Sequence, residues 1–400
     1  MKKKALILFK AQWDWNKFII SKISNFYEVK FLYLDQVKKN YLNTISQLNN
    51  FIIDNKIDTV FFDVDYQKFV NYYFINKIKN VKKVMMTLDN YERHNLNLIT
   101  ACSCHVVLTD PISLLKYKEL GIPAYNWLIE SDGSLYKDMA LEKRTDVLFF
   151  GKINKDRKKF VEFIENNGIK VKVVGNNVEN YISDKELVNL ICESKIVINF
   201  SKTTWNKISN YPEKSIFKNQ YQLKGRIIQS GLCGTACITE YAPQNKLLYK
   251  DDELLQFTTK EECVEILKEL LNNNNKLLNY TKKFSTKTQE EYEDKKFFKK
   301  IHYFLEKVDP KRIKTDKNLR IIPYWYKRIC CKQILLRDLK ISKFFQSIYN
   351  FKEIFAIAKK SNIFIFLLIS VETCANFIYY SLINSLKRKT AGKNRYTDEL

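Results

Sequence analysis

Residues 223–243 read LKGRIIQSGLCGTACITEYAP, and the fold is decided by how this stretch is read. Lys224 and Arg226 place positive charge just ahead of 227–233, whose mixture of apolar and small residues suits a helix packed against a sheet. Gly234 lets the chain turn, and the run 235–239 reads as a buried strand. In open α/β sheets ligands sit beyond the carboxyl ends of the strands, and helix N-termini there favour phosphate. A basic cluster, a small-residue helix and a buried strand in that order suit a grip on a diphosphate. An ordinary helix, glycine and strand connection would use the same residue types, so the order of elements elsewhere carries weight.

Outward from this stretch, short apolar runs alternate with helical patterns. On the N-terminal side strands are expected at 5–9, 29–34, 59–63, 84–88 and 106–109. A second series is expected at 146–150, 170–174, 196–200, 236–239 and 255–257, with a helix at 261–272 that turns Val264, Leu267 and Leu271 to the sheet. Such alternation implies βαβ units and parallel sheets. The fold class is α/β, with two Rossmann-like halves: an N-terminal domain at 1–125, a polar linker at 126–145 and a C-terminal domain at 146–310. A basic, partly hydrophobic helical tail follows at 311–400. Four hundred residues exceed what one core usually serves, which agrees with two domains and an appendage.

The chain carries a formal charge of +24, and its tail from Lys311 onward holds 19 Lys and Arg against six Asp and Glu. Charge of this kind invites a nucleic-acid reading. Here it gathers beside an apolar run and is not interleaved with aromatics on a sheet face, so no nucleic-acid partner is expected. The opening MKKKALILFK reads as a first strand, because the apolar run is short and Gln12, Asp14 and Asn16 follow without a small-residue cleavage site. Nine cysteines without regular spacing suit reduced thiols in the cytoplasm. Cys102, Cys104 and His105 lack a second pair of metal ligands and read as the entry to a buried strand.

Five pieces in order, VMMTLDNYERH (84–94), HVVLTDP (105–111), DVLFFGKINKDRKKFVEFIENNGIKVKVVG (146–175), SKIVINFSKTTW (194–205) and the 223–243 stretch, give the chain its kinship. Across about residues 80–305 it resembles the CgeB-like branch of the GT-B glycosyltransferases. That resemblance implies two domains facing a cleft, a sugar nucleotide bound by the C-terminal half and an acceptor by the N-terminal half. The donor-side candidates it implies are Gly151, Arg157, Gly175, Ser201, Lys224, Arg226, Gln229, Gly234 and Thr239. Arginine suits phosphate because its planar fork of donors matches phosphate oxygens. On the acceptor side Asp14, Asp89, Glu92 and His94 are the candidates for catalysis, since an inverting transfer needs a general base for the acceptor hydroxyl. Many retaining members carry two glutamates separated by seven residues before the small-residue helix. Tyr221 and Gln229 stand at those positions here. Gln229 can still hydrogen-bond a ribose without charge.

Asp63-Val64-Asp65 has the form of a metal-binding DxD pair, yet it ends an expected strand and has no companion motif, so no obligatory metal cofactor is expected. In the tail, 363–383 is nearly continuous apolar sequence interrupted by Glu372 and Asn376, preceded by Lys359-Lys360 and followed by Lys387-Arg388-Lys389. Charge inside a bilayer is costly, so an interfacial helix at an anionic membrane surface is the expectation, with the enzyme peripheral on the cytoplasmic face. The partners expected are a nucleotide sugar and a glycan or lipid-linked acceptor. A catalytically inactive homologue of that fold acting as a partner subunit, or a polyanion- or nucleic-acid-binding protein, is the alternative.

Overall fold

The computed structural model describes residues 2–9, 12, 14–34, 41–64, 72–87, 97–127, 133–175, 182–202, 221–292, 294–312, 322–324, 327, 354–355, 367–368, 370–372, 374–375, 378–379 and 382. The chain divides into two compact units, one of Met1–Leu108, Leu114–Ala124 and Val308–Leu400, the other of Thr109–Ser113 and Tyr125–Lys307.

In the first unit, strands β1 (Lys3–Phe9), β2 (Tyr27–Tyr33), β3 (Thr59–Asp63), β4 (Lys82–Met86), β5 (Val106–Thr109) and β6 (Ala124–Asn126) form one sheet in the order β2-β1-β3-β4-β5-β6. Helices α1 (Asp14–Ser24), α2 (Tyr41–Asp54), α3 (Tyr72–Lys77) and α4 (Pro111–Glu119) connect the strands. The ladders from β2 to β5 are parallel, with Ala5 opposite Val29 on one side and Thr59 on the other. Parallel strands covered on both faces must be apolar throughout, and Ala5 to Phe9 and Val106 to Leu108 are fully buried accordingly. Each Leu, Ile or Phe so buried contributes about 1.5–3 kcal/mol. Asp110 caps α4, its Oδ1 accepting from the main-chain N–H of Ile112 at 3.1 Å and Ser113 at 2.9 Å.

The second unit repeats the plan with β7 (Thr145–Phe150), β8 (Val171–Val174), β9 (Ser194–Asn199), β10 (Ala236–Glu240) and β11 (Gln256–Phe257), parallel and in the order β11-β10-β9-β7-β8. Its helices are α5 (Lys155–Asn166), α6 (Asp184–Cys192), α7 (Gly225–Leu232), α8 (Lys260–Asn272), α9 (Asn274–Tyr292) and α10 (Asp294–Lys307). Helix α6 starts with a capping box, in which Ser183 and Glu186 bond each other's main-chain N–H groups. Helix α7 packs on α9 so closely that a Cβ on Gly231 would lie 2.3 Å from the Thr288 hydroxyl oxygen. Small residues in α7 are thus what admits α9 to the sheet.

All ten expected strands are present, and the sequence order of elements is that of two doubly wound sheets. Three things differ from expectation. Ala124–Asn126 is an additional strand. Described residues of the expected linker are packed in the second unit: Trp127 is buried edge-on against Phe298 at 5.7 Å, Tyr136 is buried, and the Lys143 ammonium donates to Cys192 O at 2.8 Å and Thr235 Oγ1 at 3.1 Å. Of the tail, Ile322 and Ile354 group with the first unit, buried in the same core as Leu6, Val60 and Met85. Among the described residues no helix is long and apolar enough to cross a membrane. Asp63 is buried at the end of β3, and Asp65 lies outside the described residues.

Candidate functional site

The order of the second sheet fixes where a ligand belongs. From β7 the chain moves outward to β8, then returns to the other side of β7 for β9. Such a reversal leaves the two connections diverging at the carboxyl ends of β7 and β9, and the resulting crevice is the ligand site of open α/β sheets. Gly151 leaves β7 with φ of 115° and Gly175 leaves β8 with φ of 83°, both in the region that side chains disfavour. The Gly151 N–H donates to Val174 O at 3.0 Å, and a Cβ on Gly175 would come within 3.5 Å of Gly151 N. Two neighbouring strand ends are therefore closed by bare backbone.

Arg226 reaches into this crevice from the first turn of α7. Its Nε donates to Asn199 Oδ1 at 2.8 Å and its Nη2 to Phe200 O at 3.2 Å, while the guanidinium lies 5.6 Å from the centre of the Phe149 ring. A Cβ on Gly151 would stand 2.7 Å from Nη1, so the glycine makes room for the arginine head. Asn199 holds the arginine from below, because its Nδ2 donates to Thr239 Oγ1 at 2.8 Å and to Ser201 Oγ at 3.3 Å. Ser201 Oγ donates in turn to Glu240 O at 2.7 Å. Ser201 and Thr239 are fully buried, and their hydroxyls join strand ends β9 and β10 from within.

Arg157 occupies a different place. The Asn154 side chain caps α5 by accepting from Arg157 N at 2.9 Å. The Arg157 guanidinium donates to Lys152 O at 2.7 Å and Lys202 O at 3.2 Å, and lies 5.9 Å from each of the Phe149 and Phe200 rings. This buried side chain ties the turn after β7 to the exit of β9. Lys202 continues into an antiparallel bridge with Tyr221, and its main-chain N–H donates to Glu240 Oε2 at 2.8 Å. Burial pushes the Glu240 carboxyl above the usual carboxylate range, against the opposing pull of the Lys202 and Ser201 main-chain N–H groups and of the Lys202 and Arg157 charges.

The structure thus gathers Gly151, Arg157, Gly175, Ser201, Arg226 and Thr239 at one edge of one sheet. Lys224 joins them as the residue before α7, where its side chain makes no capping bond. Gln229 lies a turn further along the helix, half-buried. Gly234 sits at the opposite end, in the turn from α7 into β10, where φ is 67° and a Cβ would be 2.6 Å from Asp138 Oδ2. Of the acceptor-side candidates, Asp89, Glu92 and His94 fall outside the described residues, and Asp14 opens α1 with its side chain outside them as well. Sequence reasoning missed Asn154, Asn199 and Glu240. The signal for the last two was present as a polar residue closing an apolar run, in VIN and in CITE. Among the described residues no three His, Cys, Asp or Glu side chains converge as metal ligands would.

Residues 155–306, which include α5 through most of α10, match the family model described as glycosyl transferase-like. No curated protein matches the chain. Among solved structures, sucrose-phosphate synthase from Thermosynechococcus elongatus superposes with a TM-score of 0.51 at 6% identity, covering 76% of this chain and 99% of that one. The Anabaena HepE protein in complex with UDP and glucose gives a TM-score of 0.55 at 11% identity, again over 76% of this chain and 99% of that one. The two parallel-sheet units have the GT-B fold.

Proposed function

We propose that this protein is a glycosyltransferase that moves a sugar from a nucleotide-sugar donor, bound at the carboxyl ends of β7, β9 and β10, to a glycan acceptor in the synthesis of a cell-surface polysaccharide or lipopolysaccharide. The observation that carries the reading is the Arg226 guanidinium, fixed by Asn199 and Phe200 O and facing the side-chain-free Gly151 at the sheet's point of reversal. A diphosphate entering there meets a fixed cation and the N-terminus of α7, both of which favour the negative charge that builds on the departing nucleoside diphosphate. UDP and glucose in the Anabaena structure, on the same fold, support a donor of this chemistry. On the acceptor side Asp14, Asp89, Glu92 and His94 supply the candidates for positioning or deprotonating the acceptor hydroxyl, and no obligatory metal is invoked.

Release of nucleoside diphosphate from a panel of nucleotide sugars and nucleotide polyols tests the reaction class. Turnover of one nucleotide sugar is the expected result. Turnover of a polyol donor alone would reassign the transferred group, and none with any donor would leave an inactive homologue.

The location belongs to the same proposal: peripheral on the cytoplasmic face of a membrane, with a lipid-linked acceptor. Leu367, Val371, Ile378 and Leu382 are helical and each more than half exposed, at spacings of four, seven and four, so on a helix they fall along one stripe. Apolar stripes turned outward and bracketed by basic residues suit an anionic bilayer surface. Sedimentation with phosphatidylglycerol vesicles, absent with phosphatidylcholine vesicles and weakened about tenfold or more by Val371→Glu with Ile378→Glu, is the expected outcome. Equal sedimentation of the double variant would remove the stripe from the account.

A further inference from the structure

Away from the donor crevice, two thiols meet behind α7. Cys192 is the last residue of α6 and Cys233 the first after α7. The Cys192 Sγ lies 3.7 Å from Cys233 O and 3.5 Å from Lys137 O, and the two thiols also hydrogen-bond each other. The main chain around them is tied together as well. Thr235 Oγ1 donates to Ile191 O at 2.8 Å, and the Lys143 ammonium spans Cys192 O and Thr235 Oγ1. A disulfide between these cysteines would therefore join stretches of chain that are already neighbours.

Their surroundings set the two apart from other buried thiols. Burial pushes Cys104 and Cys237 up to about 12, which keeps them protonated and inert. Cys192 is held below the ordinary thiol range instead. Cys233 donates to its sulfur, the Met139 main-chain N–H bonds it and the Lys143 ammonium adds positive charge, against burial and the Asp138 carboxylate. Cys233 is shifted upward by the same mutual bond and by burial. A thiol that ionises readily beside a protonated partner is the form a redox-sensing pair takes. Both side chains are closed from solvent, but the segment against the Cys192 sulfur, 137–140, is exposed, so one layer of chain separates that sulfur from a small oxidant.

We propose that Cys192 and Cys233 form a redox site in which hydrogen peroxide converts the two thiols to a disulfide, tying the end of α6 to the end of α7. Peroxide leaves one oxygen on the Cys192 thiolate as a sulfenic acid and releases the other as hydroxide, which takes up the proton given by the Cys192 thiol. The Cys233 sulfur then displaces the sulfenic hydroxyl, which leaves as water with the Cys233 proton. Two thiols and one peroxide thus give one disulfide and two waters, and an external dithiol reverses the step by becoming a disulfide itself. Helix α7 is eight residues long, with Arg226 in its first turn and Cys233 at its far end, so displacing Cys233 tilts the end that carries the arginine. This coupling rests on the donor-site reading above, whereas formation of the disulfide does not.

Peptide mapping of the native protein after hydrogen peroxide and alkylation tests the pair. Cys374 is exposed, so the map and not a thiol count is the readout. A Cys192–Cys233 cross-linked peptide that disappears with dithiothreitol is the expected result. In Cys233→Ala, Cys192 is expected to be trapped by dimedone as the sulfenic acid, and in Cys192→Ala, Cys233 is expected to stay a free thiol. The site is overturned if the wild type gives no such cross-link, or if Cys233 is trapped as readily as Cys192 in the single variants. Calorimetry with UDP, GDP, ADP and dTDP on reduced and oxidised protein reads the coupling. Binding about fivefold or more weaker after oxidation, restored by dithiothreitol and unchanged in Cys233→Ala, is expected. Unaltered affinity in cross-linked protein overturns the coupling to α7. A reduced wild type that binds none of the four overturns the donor-site reading, while the peptide map still decides the disulfide.

Discussion

Replacing Gly151 by alanine is expected to weaken donor binding about 10- to 100-fold while lowering stability only moderately. Two separate effects meet at this residue. The backbone at φ of 115° is one that side chains rarely adopt, which costs about 1–3 kcal/mol of folding free energy. The added methyl would also stand 2.7 Å from Arg226 Nη1, far inside contact distance. The arginine head is the end of a flexible chain, so it can give way and the fold survives. Its displacement breaks the bonds to Asn199 Oδ1 and Phe200 O that aim it into the crevice. Binding by Gly151→Ala is therefore expected to resemble that of an Arg226 truncation, and combining the two changes should cost no more affinity than either alone, the signature of residues acting through one contact. Denaturant unfolding and calorimetry on the single and double variants read both quantities. Additive losses in affinity would show that Gly151 and Arg226 act independently.

Arg226→Ala removes the cation itself and is expected to weaken nucleoside diphosphate binding about 10- to 100-fold, the range for a charged hydrogen-bonding partner. It also leaves Asn199 Oδ1 without the arginine it holds, at a cost of about 1–3 kcal/mol in stability. Arg226→Lys keeps the charge but loses the planar fork, so it should recover part of the affinity and none of the geometry. Binding by the lysine variant equal to wild type would mean that charge alone matters at this position.

The architecture was legible because parallel strands buried on both faces leave unbroken apolar runs, and those runs survive in a chain with few Gly and Pro to mark its loops. The runs 59–63 and 106–109 begin and end where the strands do. The stretch after Asn126 was misjudged as linker for the converse reason. It holds to the second unit through isolated anchors such as Trp127, Tyr136 and Lys143, and single anchors carry no periodicity. Helix α9 was missed as well, because its buried residues Leu277, Tyr280, Phe284 and Thr288 are spread along a strongly polar sequence. At the site, glycines and arginines were visible by type and place after a strand. Sequence could not show that Arg157 spends its donors on Lys152 O and Lys202 O while Arg226 faces the crevice. Asn199 and Glu240 were each visible as a polar residue closing an apolar run, but such a residue acquires its meaning only from what stands opposite.

Thermal unfolding of the wild type and of Arg226→Ala against a panel of nucleotides and nucleotide sugars tests the central claim most directly. A ligand that binds only the native state adds about 2.7 kcal/mol of stability at a hundred times its Kd. One nucleoside diphosphate class should raise the Tm of the wild type, and Arg226→Ala, with its about 10- to 100-fold weaker binding, should show about half of that rise or less at the same concentration. A wild type that responds to no nucleotide, or an Arg226→Ala variant that responds equally, would contradict the donor site at the carboxyl ends of β7, β9 and β10.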